Sequence, residues 1–192
     1  MATIDKRRAI LKALEKVLQG RRYDEVTIDK VAQAAGVGKG TVYRYFEDKE
    51  DLFFQMIQEF LNAEVDAMSV VAASSIPPFE KLVRVGETMS EHVQLHGQYI
   101  RMMHSQRKFG PKQRGPYVIM HNHHERLDRI LTQLFRDAES VGLFRSDLNF
   151  DAVLCLYKGM IMEHSLHSRQ GREGIPVEQL VNLVLDGIRQ IH

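Results

Sequence analysis

The chain has 192 residues, 44% hydrophobic and 27% charged, with a net charge of +1. That length bounds it at one domain or two small ones, and the composition excludes a disordered tail, a collagen-like chain and a low-complexity linker. A single cysteine excludes an internal disulfide framework. Lone-cysteine usage and a start without an apolar run read as a cytoplasmic protein without a signal peptide. The apolar stretch near Val70 is short and carries Asp66, so no membrane span is expected. The charge is unevenly spread. Residues 1–49 hold 11 Lys/Arg against 7 Asp/Glu, and residues 50–192 hold 15 against 18. A small basic head on a mildly acidic body suits a polyanion-binding module on a separate scaffold.

In chain order, every element reads as a helix. Ile10, Leu14, Val17 and Leu18 fall at helical spacing over roughly 5–18, and Gly20 follows as a stop. Thr27 caps a short helix whose apolar side is Ile28, Val31, Ala32 and Ala35, and Gly36-Val37-Gly38 breaks it. A second short helix, about 39–46, points Val42 and Phe46 the same way. Asp48 caps a helix from Lys49 towards Ala73, with Glu50 and Asp51 favourably placed in its first turn. Ser74 to Pro78 is a break, and a helix follows to about His96. Residues 109–116, FGPKQRGP, read as a loop. A long helix from about Tyr117 ends at Gly142, and the last two helices cover about 151–168 and 177–191. The first of that pair is apolar nearly all round, which asks for burial on every side, and a partner chain would supply it. The fold class is all-α, with about nine helices.

The functional pattern lies at 27–46. Two short helices joined by a glycine-containing turn form a helix-turn-helix, whose second helix enters the DNA major groove. With Val42 and Phe46 turned to the core, Lys39, Thr41, Tyr43, Arg44 and Tyr45 are left to point elsewhere. A lysine, an arginine and two tyrosines suit phosphate donors, stacking surfaces and methyl contacts. Gly40 lets the backbone approach DNA closely. Thr27 and Lys49 start helices, where main-chain N–H groups favour phosphate.

At these residues the chain resembles the TetR family of bacterial transcription regulators. The resemblance runs from Ala9 to Met56, about a quarter of the chain. It rests on Thr27-Val31-Ala32, then Ala35 to Phe46, then Lys49-Glu50-Leu52. Gly38 stands where the family usually has serine or threonine, which forgoes a hydroxyl cap for a few tenths of a kcal/mol. The resemblance implies phosphate contacts from Thr27, Tyr43, Tyr45 and Lys49, and base or backbone contacts from Lys39, Gly40, Thr41 and Arg44. It implies a DNA-binding domain over 1–50 and a ligand-binding and dimerisation domain over 51–192. It further implies a homodimer on a palindromic double-stranded operator, acting as a repressor released by a small-molecule effector. The last two helices would pair the subunits, with Leu156, Met160, Val181, Val184 and Ile188 as the apolar positions. An adaptable apolar pocket would draw on Tyr99, Met102, Met103, Phe109, Tyr117 and His121. No cofactor is implied.

Rival readings draw on the same residues. Gly36 to Thr41 looks like the end of a phosphate-binding loop, but that loop needs a strand feeding it and a glycine where Gln33 stands. No constellation for an enzyme is found. An adaptor would not need the basic, tyrosine-rich short helix. All nine histidines lie from His92 onward. His92/His96, the His121-His123-His124 cluster and His164/His167 read as surface or pocket polarity. A metal-sensing site, with an activator as a further alternative, or a pocket for an anionic or aromatic ligand stays open.

Overall fold

The computed structural model describes residues 5–105, 114–144, 149–168 and 175–188, with side chains over 5–102, 117–144, 149–166 and 175–187. Among the described residues the chain has eight α-helices, one three-ten turn and no strand. The helices are α1 (Lys6–Leu18), α2 (Ile28–Ala35), α3 (Lys39–Tyr43), α4 (Lys49–Ala73), α5 (Pro78–Ser105), α6 (Arg114–Ser140), α7 (Phe150–Ser168) and α8 (Val177–Ile188); the three-ten turn is Tyr23–Glu25. Three of the expected boundaries move. The second short helix, expected to reach about Phe46, ends at Tyr43, and Phe46 is buried in the turn that follows. The helix expected to stop near His96 continues to Ser105, because nothing after Pro78 breaks it. The next begins at Arg114, ahead of the expected Tyr117, with Pro116 in its first turn, where its missing N–H is tolerated. No described helix is long and apolar enough to cross a membrane.

Contacts divide the chain into two compact units. One joins Met1–Phe60 to Tyr99–Pro116, the other Leu61–Gln98 to Tyr117–His192. In the first unit α1 packs on α2 and α2 on α3. Ile10, Leu14, Val31, Val42, Phe46 and Phe53 are among its buried apolar side chains. Arg7 ties α1 to α4, donating to Glu59 Oε1 at 2.6 Å and Gln55 Oε1 at 2.9 Å.

The second unit has a core of Met68 from α4, Leu82 and Val85 from α5, Leu131 and Phe135 from α6, and Tyr157 and Ile161 from α7, closed by α8. Tyr157 is fully buried and its hydroxyl donates to the Leu82 carbonyl at 2.5 Å. That approach is possible because Gly86 has no side chain. A Cβ there would lie 2.8 Å from the Tyr157 oxygen and 2.9 Å from Val177 Cγ1. Gly86→Ala therefore overpacks the centre of the unit. A loss of about 1–3 kcal/mol is expected in thermal or denaturant unfolding, and an unchanged midpoint would contradict this packing.

Candidate nucleic-acid interface and a buried acid–imidazole cluster

The α2–turn–α3 segment is built locally. Thr27 Oγ1 accepts from the Lys30 N–H at 3.3 Å, capping α2. Its hydroxyl proton stays available to an outside acceptor. Gly36 ends α2 at φ +67°, the left-handed region where glycine is at ease. The Val37 N–H then returns to the Ala32 carbonyl at 3.0 Å and the Gly36 N–H to the Gln33 carbonyl at 3.2 Å, the double closure of a Schellman motif. Gly38 starts α3 without any side-chain cap, as its lack of a hydroxyl requires. Asp48 Oδ1 accepts from the Asp51 N–H at 2.8 Å and starts α4.

With Val42 and Phe46 buried, α3 and the turn after it present the opposite face. Tyr43 is 49% exposed and Tyr45 39% exposed. Lys39, Gly40 and Arg44 are exposed and Thr41 half-buried. Among the described residues nothing outside the backbone of α3 lies within 4 Å of a Cβ placed on Gly40, so no crowding from the rest of the fold demands glycine there. Lys39 Nζ donates to Asp29 Oδ2 at 2.9 Å across the turn. Lys49 has a different employment. Its ammonium donates to the carbonyls of Tyr23 (3.2 Å) and Val26 (3.1 Å) and sits 4.2 Å from the centre of the Tyr23 ring. It locks the three-ten turn to the start of α4. The phosphate-loop alternative finds α2, not a strand, ahead of Gly36.

The expected pocket residues have separate surroundings. Tyr99 is buried with its ring 5.9 Å from Phe60, and Met102 is half-buried. Tyr117 stacks on His121 at 5.8 Å, both open to solvent on α6. Phe109 and the side chain of Met103 lie outside the described residues. Of the expected dimer positions, Leu156 is 52% exposed, Met160 is half-buried, and Val181 and Val184 are buried within the chain; the side chain of Ile188 lies outside the described residues. Leu183, not singled out by sequence, is 64% exposed beside them. Leu156, Met160, Leu183, Val184 and Gly187 line one open apolar hollow on α7 and α8.

The second unit also buries a carboxyl group. Glu64 of α4 is 6% exposed, with Oε2 at 3.6 Å from His92 Nε2 of α5 and 3.4 Å from His123 Nε2 of α6. Sequence reasoning flagged the histidines but not Glu64, because a glutamate on a helix is ordinarily solvated. Burial pushes Glu64 from its ordinary 4.5 up to about 8. Burial chiefly, with neighbouring histidines adding, holds His92 at about 3. Burial, then His124 and Arg126, hold His123 at about 4. At neutral pH the carboxyl is protonated and both imidazoles are uncharged. Among the described residues no group of three or more His, Cys, Asp or Glu is arranged to hold a metal ion, this cluster included.

These features define the class of protein: a helix-turn-helix with an outward basic and tyrosine-bearing face, carried on an all-helical body. Residues 10–56 match the family model "Bacterial regulatory proteins, tetR family". The head of the chain thus carries the N-terminal domain of the TetR family. It is 30% identical over 108 residues to the HTH-type transcriptional regulator YhgD of Bacillus subtilis, an alignment covering 56% of each chain. The chain thus spans about half the length of that relative. The fold is shared with the fatty acid degradation regulator FadR of Bacillus halodurans at 19% identity (TM-score 0.72, 97% of this chain and 95% of that one). It is also shared with B. subtilis FadR in complex with stearoyl-CoA at 23% identity (TM-score 0.69, 96% and 99%).

The cluster sets a pH dependence. Between about 4.5 and 8 the folded chain keeps a proton on Glu64 that the unfolded chain has released, so stability falls as pH rises through that window. The imidazoles act in the opposite sense: their contribution is present above 6.5 and lost as pH falls towards 4 and then 3. Glu64→Gln is expected to flatten the alkaline decline, raising the melting temperature relative to wild type more at about pH 8 than at about pH 5. Parallel melting curves for the two proteins across that range would contradict the assignment.

Proposed function

We propose that the protein is a DNA-binding transcriptional regulator, a homodimeric repressor that leaves a palindromic operator when a small-molecule effector binds. Residues 1–50 serve DNA and residues 51–192 serve the effector and the second subunit. The observation that carries the reading is the outward face of α3, which holds charge and tyrosines in solvent with one exposed ion pair, Lys39 to Asp29, among the described residues. Lys39, Thr41, Tyr43, Arg44 and Tyr45 meet phosphates and base edges, with Thr27 donating its hydroxyl proton to a phosphate. Arg44 contributes specificity more than affinity, since a guanidinium reads guanine bidentately. Lys49 acts by holding the turn that orients α2 and α3. Gly40 gives the backbone room against DNA. Dimerisation covers the apolar hollow on α7 and α8 and places two α3 helices about one DNA turn apart, ~34–36 Å or a multiple. The fold shared with the stearoyl-CoA-bound neighbour makes a compound with a long apolar tail the first effector class to test.

The direct experiment is fluorescence anisotropy of the purified protein on DNA from immediately upstream of its own coding region, with a scrambled duplex as control and salt stepped upward. Selective binding that weakens steeply with salt is expected. Equal binding to both duplexes at every salt would contradict operator recognition. Two variants sharpen the test. Lys39→Ala is expected to weaken both complexes and reduce the salt slope by about one unit, whereas an unchanged slope would remove Lys39 from the phosphate contacts. Gly40→Ala is expected to keep or slightly raise the melting temperature, since alanine favours helix by about 0.5–1 kcal/mol. It should still weaken operator binding by about ten-fold or more, roughly 1.4 kcal/mol. Retained affinity would mean that DNA does not approach this backbone.

A further inference from the structure

We propose that Glu64, His92 and His123 form a binding site for the cationic head of a small molecule, an organic ammonium that takes the place of the proton on Glu64. This deepens the effector-controlled reading and rests on it. Three helices of one compact unit converge on the site: α4 supplies the carboxyl, α5 and α6 the imidazoles. The three side chains are 5% to 8% exposed. Among the described residues no lysine or arginine pairs with Glu64. Arg126, the arginine on α6 that acts on His123, is held by Asn62 Oδ1 at 2.6 Å and Asp66 Oδ1 at 3.3 Å. Among the described residues His92 Nε2 and His123 Nδ1, both buried, find no hydrogen-bond partner. The ring of His96 stands 4.8 Å from that of His92, completing a polar wall on α5.

A carboxyl group buried without a counter-ion stays neutral by keeping its proton. The sign of the charge it can accept follows. At pH 7 Glu64, at about 8, is within about one pH unit of releasing its proton. His92 and His123, at about 3 and 4, are about three or more units from gaining one. The cluster therefore becomes negative far more readily than positive. An entering ammonium leaves charge balanced: the ammonium keeps its protons, Glu64 becomes a carboxylate, and the displaced proton goes to solvent. The ammonium N–H groups then donate to the carboxylate oxygens and to an imidazole nitrogen, the acceptors that the cluster holds in reserve. Among the described residues an anionic head group finds no uncommitted cation here, since Arg126 is already held by Asn62 and Asp66.

The test is isothermal titration of the full-length protein at pH 7 with decylammonium and with decanoate. Both have the same tail and opposite heads, and both are kept below their micelle-forming concentrations. Two buffers of different ionisation enthalpy count protons. Decylammonium is expected to bind at least about ten-fold tighter than decanoate and to release close to one proton per site. In Glu64→Gln, with its fold checked by melting, the preference should shrink to about two-fold or less. Should that variant fail to fold, the head-group preference and proton count of the wild-type protein decide. Equal affinities, a preference for decanoate, no binding of either compound, binding without proton release, or a preference kept in folded Glu64→Gln would each overturn the proposal. DNA anisotropy on the same preparation separates the two readings. Selective DNA binding without ammonium preference overturns this site and leaves the regulator; ammonium preference without selective DNA binding does the reverse.

Discussion

A helix of five residues has no stability of its own, because nucleation alone outweighs the few bonds it closes. The burial of Val42 and Phe46 is therefore the constraint on which the outward surface of α3 depends. Those two side chains set the roll of α3, and the roll decides that Lys39, Tyr43 and Arg44 look outward. The neighbouring devices support the same end. The Schellman closure at Gly36 fixes the angle between α2 and α3. The Lys49 ammonium pins the Tyr23–Val26 turn to α4, and Arg7 ties α1 to the same helix. Among the described residues the outward face makes one ion pair within the chain, between Lys39 and Asp29. An exposed pair of this kind contributes little to stability, so Lys39 is easily released to another anion.

The second unit departs from a plain hydrophobic core in two places. It leaves Leu156 and Leu183 in water on α7 and α8, beside small Gly187, where an apolar partner surface would fit. It also encloses Glu64 with two imidazoles instead of an arginine or lysine. A purely structural buried carboxyl is usually paired with a cation or with several N–H donors. This one holds its proton instead, which costs stability at alkaline pH and leaves an acceptor site for positive charge. α4 carries residues of both compact units, Lys49 at one end and Glu64 further along.

Much of the head was legible because its determinants are local. The hydroxyl of Thr27, the stop at Gly36 and the i, i+4 pair Val42/Phe46 each act within a few residues, and pattern alone finds them. The spread of apolar residues likewise announced an all-helical chain. What stayed hidden is non-local. The lysine at 49 reads as a phosphate ligand until the carbonyls of Tyr23 and Val26 are seen around its ammonium. Glu64 reads as a solvated helix residue until α5 and α6 bring His92 and His123 against it. α5 continues to Ser105 through Gly97, a weak helix former that follows His96 directly but does not by itself end the helix. In α8 the apolar stripe of Val181 and Val184 is legible, but pattern alone does not tell a stripe that meets a partner from one that, as here, is buried within the chain while Leu183 faces outward.

The central claim is that α3 reads a two-fold symmetric DNA site from a dimer. Selection of bound duplexes from a randomised pool, followed by sequencing, tests it most directly. The result predicted is an inverted-repeat consensus whose half-sites are centred about 10 bp apart or a multiple of that, absent from the Lys39→Ala/Tyr43→Ala double variant. A pool that shows no enrichment over input, or one enriched equally by the double variant, would contradict it.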